Sequence, residues 1–133
     1  MIFIDTGPFI ARHLPKDQHH RRAKELWTKL ERSGQPCVTS HFVINEVATL
    51  LARWAAPDFA VDRVRILYDS QVLAIRRTEA VDELAALELL IKYADQDVGF
   101  TDCTSFVLMR KAKIKRAFTF DRHFRAAGFE LWD

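Results

Sequence analysis

Glycine is scarce in this chain, 4 in 133 residues, and none of the four falls at the spacing of a phosphate-cradling loop. With neither GxGxxG nor a Walker pattern, the common nucleotide-binding loops are excluded. No GxSxG turn marks a serine hydrolase. Cysteine is scarce too: Cys37 and Cys103 stand alone, in no CxxC arrangement, and His19, His20 and His41 complete neither HExxH nor a paired Cys/His zinc pattern. Asp5 has no second aspartate two positions on, which argues against an aspartyl-phosphate hydrolase. Long apolar runs are missing; none approaches the roughly 20 residues of a membrane-spanning helix. The N-terminus has no basic segment leading into a long apolar one, so no signal peptide is expected. These absences predict a cytoplasmic protein, no membrane association and reduced cysteines. A large excess of one sign of charge is also missing: 20 basic residues against 18 acidic ones leave a formal net of +2, which by itself announces no polyanion partner.

What is present is strands alternating with helices. Ile2-Phe3-Ile4 is a continuous apolar run of the kind found in buried parallel strands, and it stops at Asp5. Thr6, Gly7 and Pro8 then read as a helix start, since proline is tolerated in a first turn. Ala23, Leu26, Trp27 and Leu30 recur at helical steps and predict a helix over Asp17–Leu30. Cys37-Val38-Thr39 is a strand, with Ser40 placed to cap a helix from His41 to about Ala56. A helix over 59–69, a buried strand over 72–75 and a long helix capped by Thr78 and running to Tyr93 follow. After a polar loop, a helix from Thr101 to about Lys113 leads to a strand over 117–120 that ends at Asp121. A short helical turn and a strand over 129–132 close the chain. No repeat, low-complexity tract or linker divides residues 1–133. The alternation predicts a single α/β domain, a parallel sheet covered by helices on both faces.

Two acids, Asp5 and Asp121, follow apolar strands and so belong at the carboxyl edge of the sheet, where open α/β sheets bind ligands. Glu46 borders the apolar stripe Val43, Val47, Leu50, and Asp102 sits in the first turn of its helix, where the dipole favours a carboxylate. Each has a plain alternative, as turn residue, cap or solvated stripe edge. Together they suggest a pocket in which mutual repulsion raises carboxyl pKa values unless a cation neutralises them. A hard divalent ion with oxygen ligands does so, and such a site can activate water against a phosphodiester. Basic residues crowd the last quarter, among them Arg110, Arg122, His123 and Arg125, and offer phosphate contacts. A second basic cluster spans His19 to Lys24.

In this order the motifs resemble the PIN-domain ribonucleases, in particular the toxins of VapBC-type toxin–antitoxin pairs, over essentially the whole chain. IFIDTGPFIA is similar to the family's first-strand motif with Asp5, FVINEVATLL to the segment carrying Glu46, and the block from FTDCTSF to FDRHFRAAGFE carries Asp102 and Asp121. The resemblance implies a three-layer α/β/α sandwich with a mostly parallel five-stranded sheet, and Mg²⁺- or Mn²⁺-dependent cleavage of RNA. Asp5 and Asp102 would be principal metal ligands, joined by Glu46, with Asp121 completing a catalytic set of four. Thr6, Thr101 and Ser105 match supporting hydroxyl positions, with helix capping or a bond to the preceding turn as the plainer explanation. A small VapB-like antitoxin and a homodimer are the implied partners. Gly7 and Gly99 stand where serines are common in the family. Asp95 or Asp97 is an alternative to Asp121 as the outermost acid. A catalytically silent module that binds RNA or protein, and a nuclease acting on DNA, are the competing readings.

Overall fold

The structure is a computed structural model describing residues 1–133. Five strands form one sheet: β1 (Ile2–Ile4), β2 (Cys37–Ser40), β3 (Leu73–Arg76), β4 (Arg116–Phe118) and β5 (Glu130–Leu131). Their spatial order is β3-β2-β1-β4-β5 and every pairing is parallel. Parallel neighbours need crossover connections, which are supplied here by helices. The first crossover is α1 (Thr6–His13) with α2 (His20–Ser33), and the second is α3 (His41–Trp54) with α4 (Pro57–Asp69). The return crossover, α5 (Ala80–Lys92) with α6 (Phe100–Lys111), carries the chain past β1 to β4, and α7 (His123–Ala126) joins β4 to β5. The first two crossovers step one way from β1 and the return steps the other. Because such connections are right-handed, the two sets of helices cover opposite faces of the sheet.

Register shows how the core divides between those faces. Ile4 pairs with Phe118 and Phe3 with Ala117, and in a parallel ladder paired residues face the same side. Phe118 meets Trp27 and Trp132 at 5.2 and 5.3 Å between ring centroids, and Trp27 meets Phe9 at 5.4 Å. Phe3 meets Phe124 on the other side at 6.5 Å, and Phe124 stands edge-on to Phe106 at 4.9 Å. The indole N–H of Trp27 donates to the Pro8 carbonyl at 3.0 Å, so its burial leaves no donor unpaired. Both cysteines are buried and free, as expected of small core residues.

Several local expectations shift. β3 is not a buried strand: it lies at the sheet edge with alternating half-buried and exposed residues. The helix expected from Asp17 starts at His20, because the Asp17 carboxylate accepts from the His19 backbone N–H at 2.8 Å and holds a turn before it. The cap of α5 is Glu79 rather than Thr78; the Glu79 N–H donates to Asp82 Oδ2 at 2.8 Å, closing the first turn. Ser40 does cap α3, its hydroxyl accepting from the Val43 N–H at 3.1 Å. β4 stops at Phe118, short of Phe120, and that early stop shapes the site.

Candidate active site at the switch point of the sheet

The order β3-β2-β1-β4-β5 reverses direction between β1 and β4, and a crevice opens beyond the carboxyl ends of adjacent strands at such a point. Asp5 follows β1 there. Its backbone N–H still bonds across to the Phe118 carbonyl at 3.0 Å, which fixes it against the end of β4. Its side chain is only 6% exposed, and Oδ2 accepts a 2.8 Å hydrogen bond from the hydroxyl of Thr119. That hydroxyl also accepts from the Asp121 backbone N–H at 3.0 Å. Thr119, the first residue past β4, thus ties Asp5 to the backbone of Asp121 through its side chain. Sequence reasoning overlooked it, although a hydroxyl one residue past an apolar strand was a usable signal, since a buried carboxylate must find donors.

Burial, followed by the charge of Asp102, raises the Asp5 carboxyl to about 7; the Thr119 hydroxyl and Thr6 N–H oppose the rise, and Asp121 adds to it. Asp102, in the first turn of α6, is raised to about 6 by burial and then by Asp121; the Gly99 N–H opposes this, Glu46 adds repulsion, and His123 relieves some. The Gly99 N–H reaches Asp102 Oδ2 at 3.3 Å, a long bond for a carboxylate. Asp5, Glu46, Asp102 and Asp121 thus share one electrostatic neighbourhood. Glu46 is held from below by Thr6, whose hydroxyl donates to Oε1 at 2.7 Å. Phe42, one turn before Glu46, packs edge-on against Phe100 at 5.6 Å and braces α3 to the start of α6, a contact no periodicity announced.

The remaining expected residues divide. Asp121 accepts from the His123 backbone N–H at 2.8 Å, and His123 Nδ1 lies 2.6 Å from the same oxygen but off the direction of a hydrogen bond. Arg122 and His123 line an open cleft of about 670 Å³ with Asp5, Gly7, Phe120 and Asp121. Arg125 is exposed on α7 and does not line it. Arg110 turns away to donate to the Ala127 carbonyl at 2.9 Å and sits over Phe129. Ser105 donates to the Thr101 carbonyl at 3.0 Å along its own helix, as does Thr104 at 2.6 Å, so neither hydroxyl turns toward the acids. Thr101 stands partly buried beside Asp102, its carbonyl accepting both of those bonds. Asp95 and Asp97 are exposed in the α5–α6 loop and contribute nothing to the shifts of Asp5 or Asp102; Asp121 does. The histidine pair is not simply solvated: His20 Nδ1 lies 2.6 Å from the Ala11 carbonyl, and His19 stacks on Phe120. A more enclosed groove, lined by Phe9, Trp27, Ile66 and Leu73, lies apart from the acids and gathers no chemistry.

No three acids or histidines stand close enough to form a finished metal cage. The donor set nevertheless suits Mg²⁺ or Mn²⁺, which bind through one or two carboxylates and keep several waters. Carboxyls raised by burial and by neighbouring negative charge, as those of Asp5 and Asp102 are, are what a divalent cation relieves.

An acid cluster at the switch point of a five-stranded parallel sheet defines the class, and the chain belongs to the PIN-domain family, which matches residues 2–130. Over 130 residues it is 38% identical to the 23S rRNA-specific endonuclease VapC20 of Mycobacterium tuberculosis, in strains CDC 1551 / Oshkosh and ATCC 25618 / H37Rv alike, covering 97% of this chain and 95% of that protein. The crystal structure of Mycobacterium tuberculosis VapC20, described as a sarcin-ricin loop cleaving toxin, matches with a TM-score of 0.87 and 34% identity, covering 97% of this chain and 96% of that one. DNA-bound VapBC from Salmonella typhimurium shares the fold at a TM-score of 0.64 and 16% identity, covering 100% of this chain and 98% of that one. No helix is long and apolar enough to cross a membrane.

Proposed function

We propose that the protein is a VapC-type endoribonuclease, the toxin of a toxin–antitoxin pair, and that it cuts RNA at a locally unpaired segment; its relatives are named for 23S rRNA and for the sarcin-ricin loop. The observation that carries the reading is the shared neighbourhood of Asp5, Glu46, Asp102 and Asp121, with Asp5 buried and raised to about 7. Asp5 and Asp102 would hold Mg²⁺ or Mn²⁺, joined by Glu46, with Asp121 completing the set. When bound, the ion supplies charge neutralisation and a more acidic water.

The chain's own residues do the rest. The Thr119 hydroxyl keeps Asp5 in place at the crevice. Thr6 fixes Glu46 so that its free oxygen can take the proton of the attacking water. Arg122 and His123, which line the cleft with Asp5 and Asp121, hold the phosphate. An RNA strand enters an open cleft of this kind most readily where it is unpaired. A small VapB-like antitoxin and a second copy of the chain are the partners this reading calls for. Trp54 and Tyr68, 57% and 54% exposed, offer apolar surface for such contacts.

The test is incubation of the purified protein with 23S rRNA, and with matched single-stranded RNA and DNA, in Mn²⁺ and in chelator. Cleavage of RNA that needs the ion and vanishes in Asp5→Asn and Asp102→Asn supports the reading. Undiminished cleavage by Asp5→Asn refutes the site, and cleavage of DNA alone refutes the substrate.

A further inference from the structure

The cleft has an aromatic wall that the acid chemistry does not use. Phe120 sits between Thr119, which holds Asp5, and Asp121, and it lines the cleft beside them. His19 lies flat on it, ring centroids 4.3 Å apart and planes 10° from parallel. Both residues are only partly buried. They are held independently: Phe120 meets the edge of core Phe118 at 6.1 Å, while the His19 N–H is fixed by Asp17 at 2.8 Å where α2 begins. Phe120 lines an otherwise polar crevice and His19 borders it through the stack, so the two rings form a surface that does not have to be ordered on binding. Unpaired bases are bound by stacking on such rings, which is sequence-tolerant because every base has a flat face.

We propose that the His19–Phe120 stack is the platform for a nucleobase next to the scissile phosphate, and that both are positioning residues for substrate. This rests on the reading of the site as an RNA-cleaving one. A base laid on the platform brings its backbone to the acids, with Arg122 and His123 on the neighbouring wall. A duplex cannot present an unstacked base, so the platform selects single-stranded segments.

The experiment uses the whole protein in chelator, where RNA stays uncut, and single-stranded oligoribonucleotides carrying one 2-aminopurine moved stepwise along the strand. One position is expected to be quenched on binding, and the quenching should disappear in His19→Ala and Phe120→Leu. In Mn²⁺, both variants should raise KM by about tenfold or more, the loss of roughly one base stack, with kcat within about twofold of the parent. His19→Phe, which keeps a ring and loses the imidazole, should restore both quenching and KM. Parental KM and quenching in His19→Ala overturn the proposal. So does failure of a folded His19→Phe to rescue, and so does a loss that falls on kcat instead. If the parent protein cuts no RNA the nuclease reading fails, while the quenching series still reports on the platform.

Discussion

Replacing Asp5 with asparagine should make the metal-free protein more stable at neutral and alkaline pH. The Asp5 carboxyl is raised from an ordinary 3.8 to about 7. Between those values the folded chain keeps a proton that the unfolded chain has released, so stability falls as pH rises through the window and levels off above about 7. A shift of that size corresponds to about 4 kcal/mol at pH 8, at 1.36 kcal/mol per pKa unit. Asparagine is nearly isosteric, carries no charge, and its amide oxygen can still accept from the Thr119 hydroxyl. Allowing about 1 kcal/mol for an imperfect replacement bond leaves a gain of about 3 kcal/mol, or about 10 °C in Tm for a domain of this size. The assay is thermal and urea unfolding of both proteins in chelator at pH 5 and pH 8. The parent should lose stability between the two, and the variant should lose much less. Adding Mn²⁺ at pH 8 should raise the parent's Tm and leave the variant's nearly unchanged, because only the parent gains a neutralising ion. A variant less stable than the parent at pH 8 in chelator would show that Asp5 carries no electrostatic strain, and the argument from crowded carboxylates would fall with it.

Thr6→Val removes the donor that orients Glu46 and should lower kcat by about tenfold or more with little change in KM, since a hydrogen bond to a charged group contributes about 1.5–3 kcal/mol; an unchanged kcat would remove Thr6 from the mechanism. Ser40→Ala deletes the cap of the helix that carries Glu46 and should cost about 1 kcal/mol in urea unfolding. Gly7→Ala should be accepted, because a Cβ there meets Phe120 at an ordinary 3.6 Å, and a helical alanine should add about 0.5 kcal/mol. Gly34→Ala should be destabilising instead, since Gly34 ends α2 at φ +66, a backbone region that suits glycine.

The strand–helix alternation was legible because it depends on local pattern. The apolar run Ile2-Phe3-Ile4 followed by Thr6-Gly7-Pro8 admits one reading, and Ser40 caps α3 as its residue type suggests. The stripe on α3 likewise put Glu46 at its border, with a solvated edge as the alternative, and the residue is half-buried. Element ends were less legible. β4 stops at Phe118 because its neighbours run out there, β1 giving way to α1 at Thr6 and β5 ending at Leu131, and no window of residues around Phe118 contains those partners. The burial of β3 was misread because position in a sheet, edge or centre, is invisible in a strand's own composition.

The same division holds for the site. The kinds of residue that make up the chemistry, carboxylates behind apolar strands and at a helix start, are written locally, because a strand end and a first turn each impose their own preferences. Which acids lie within electrostatic reach of one another was decided by the tertiary structure. The strand order puts β1 beside β4, so Asp5 meets Thr119 and Asp121, while Asp95 and Asp97, nearer to Asp102 in sequence than Asp121 is, stay in an exposed loop. Electrostatic repulsion and hydrogen bonding act through space over a few ångströms, and only folding turns separation along the chain into that distance.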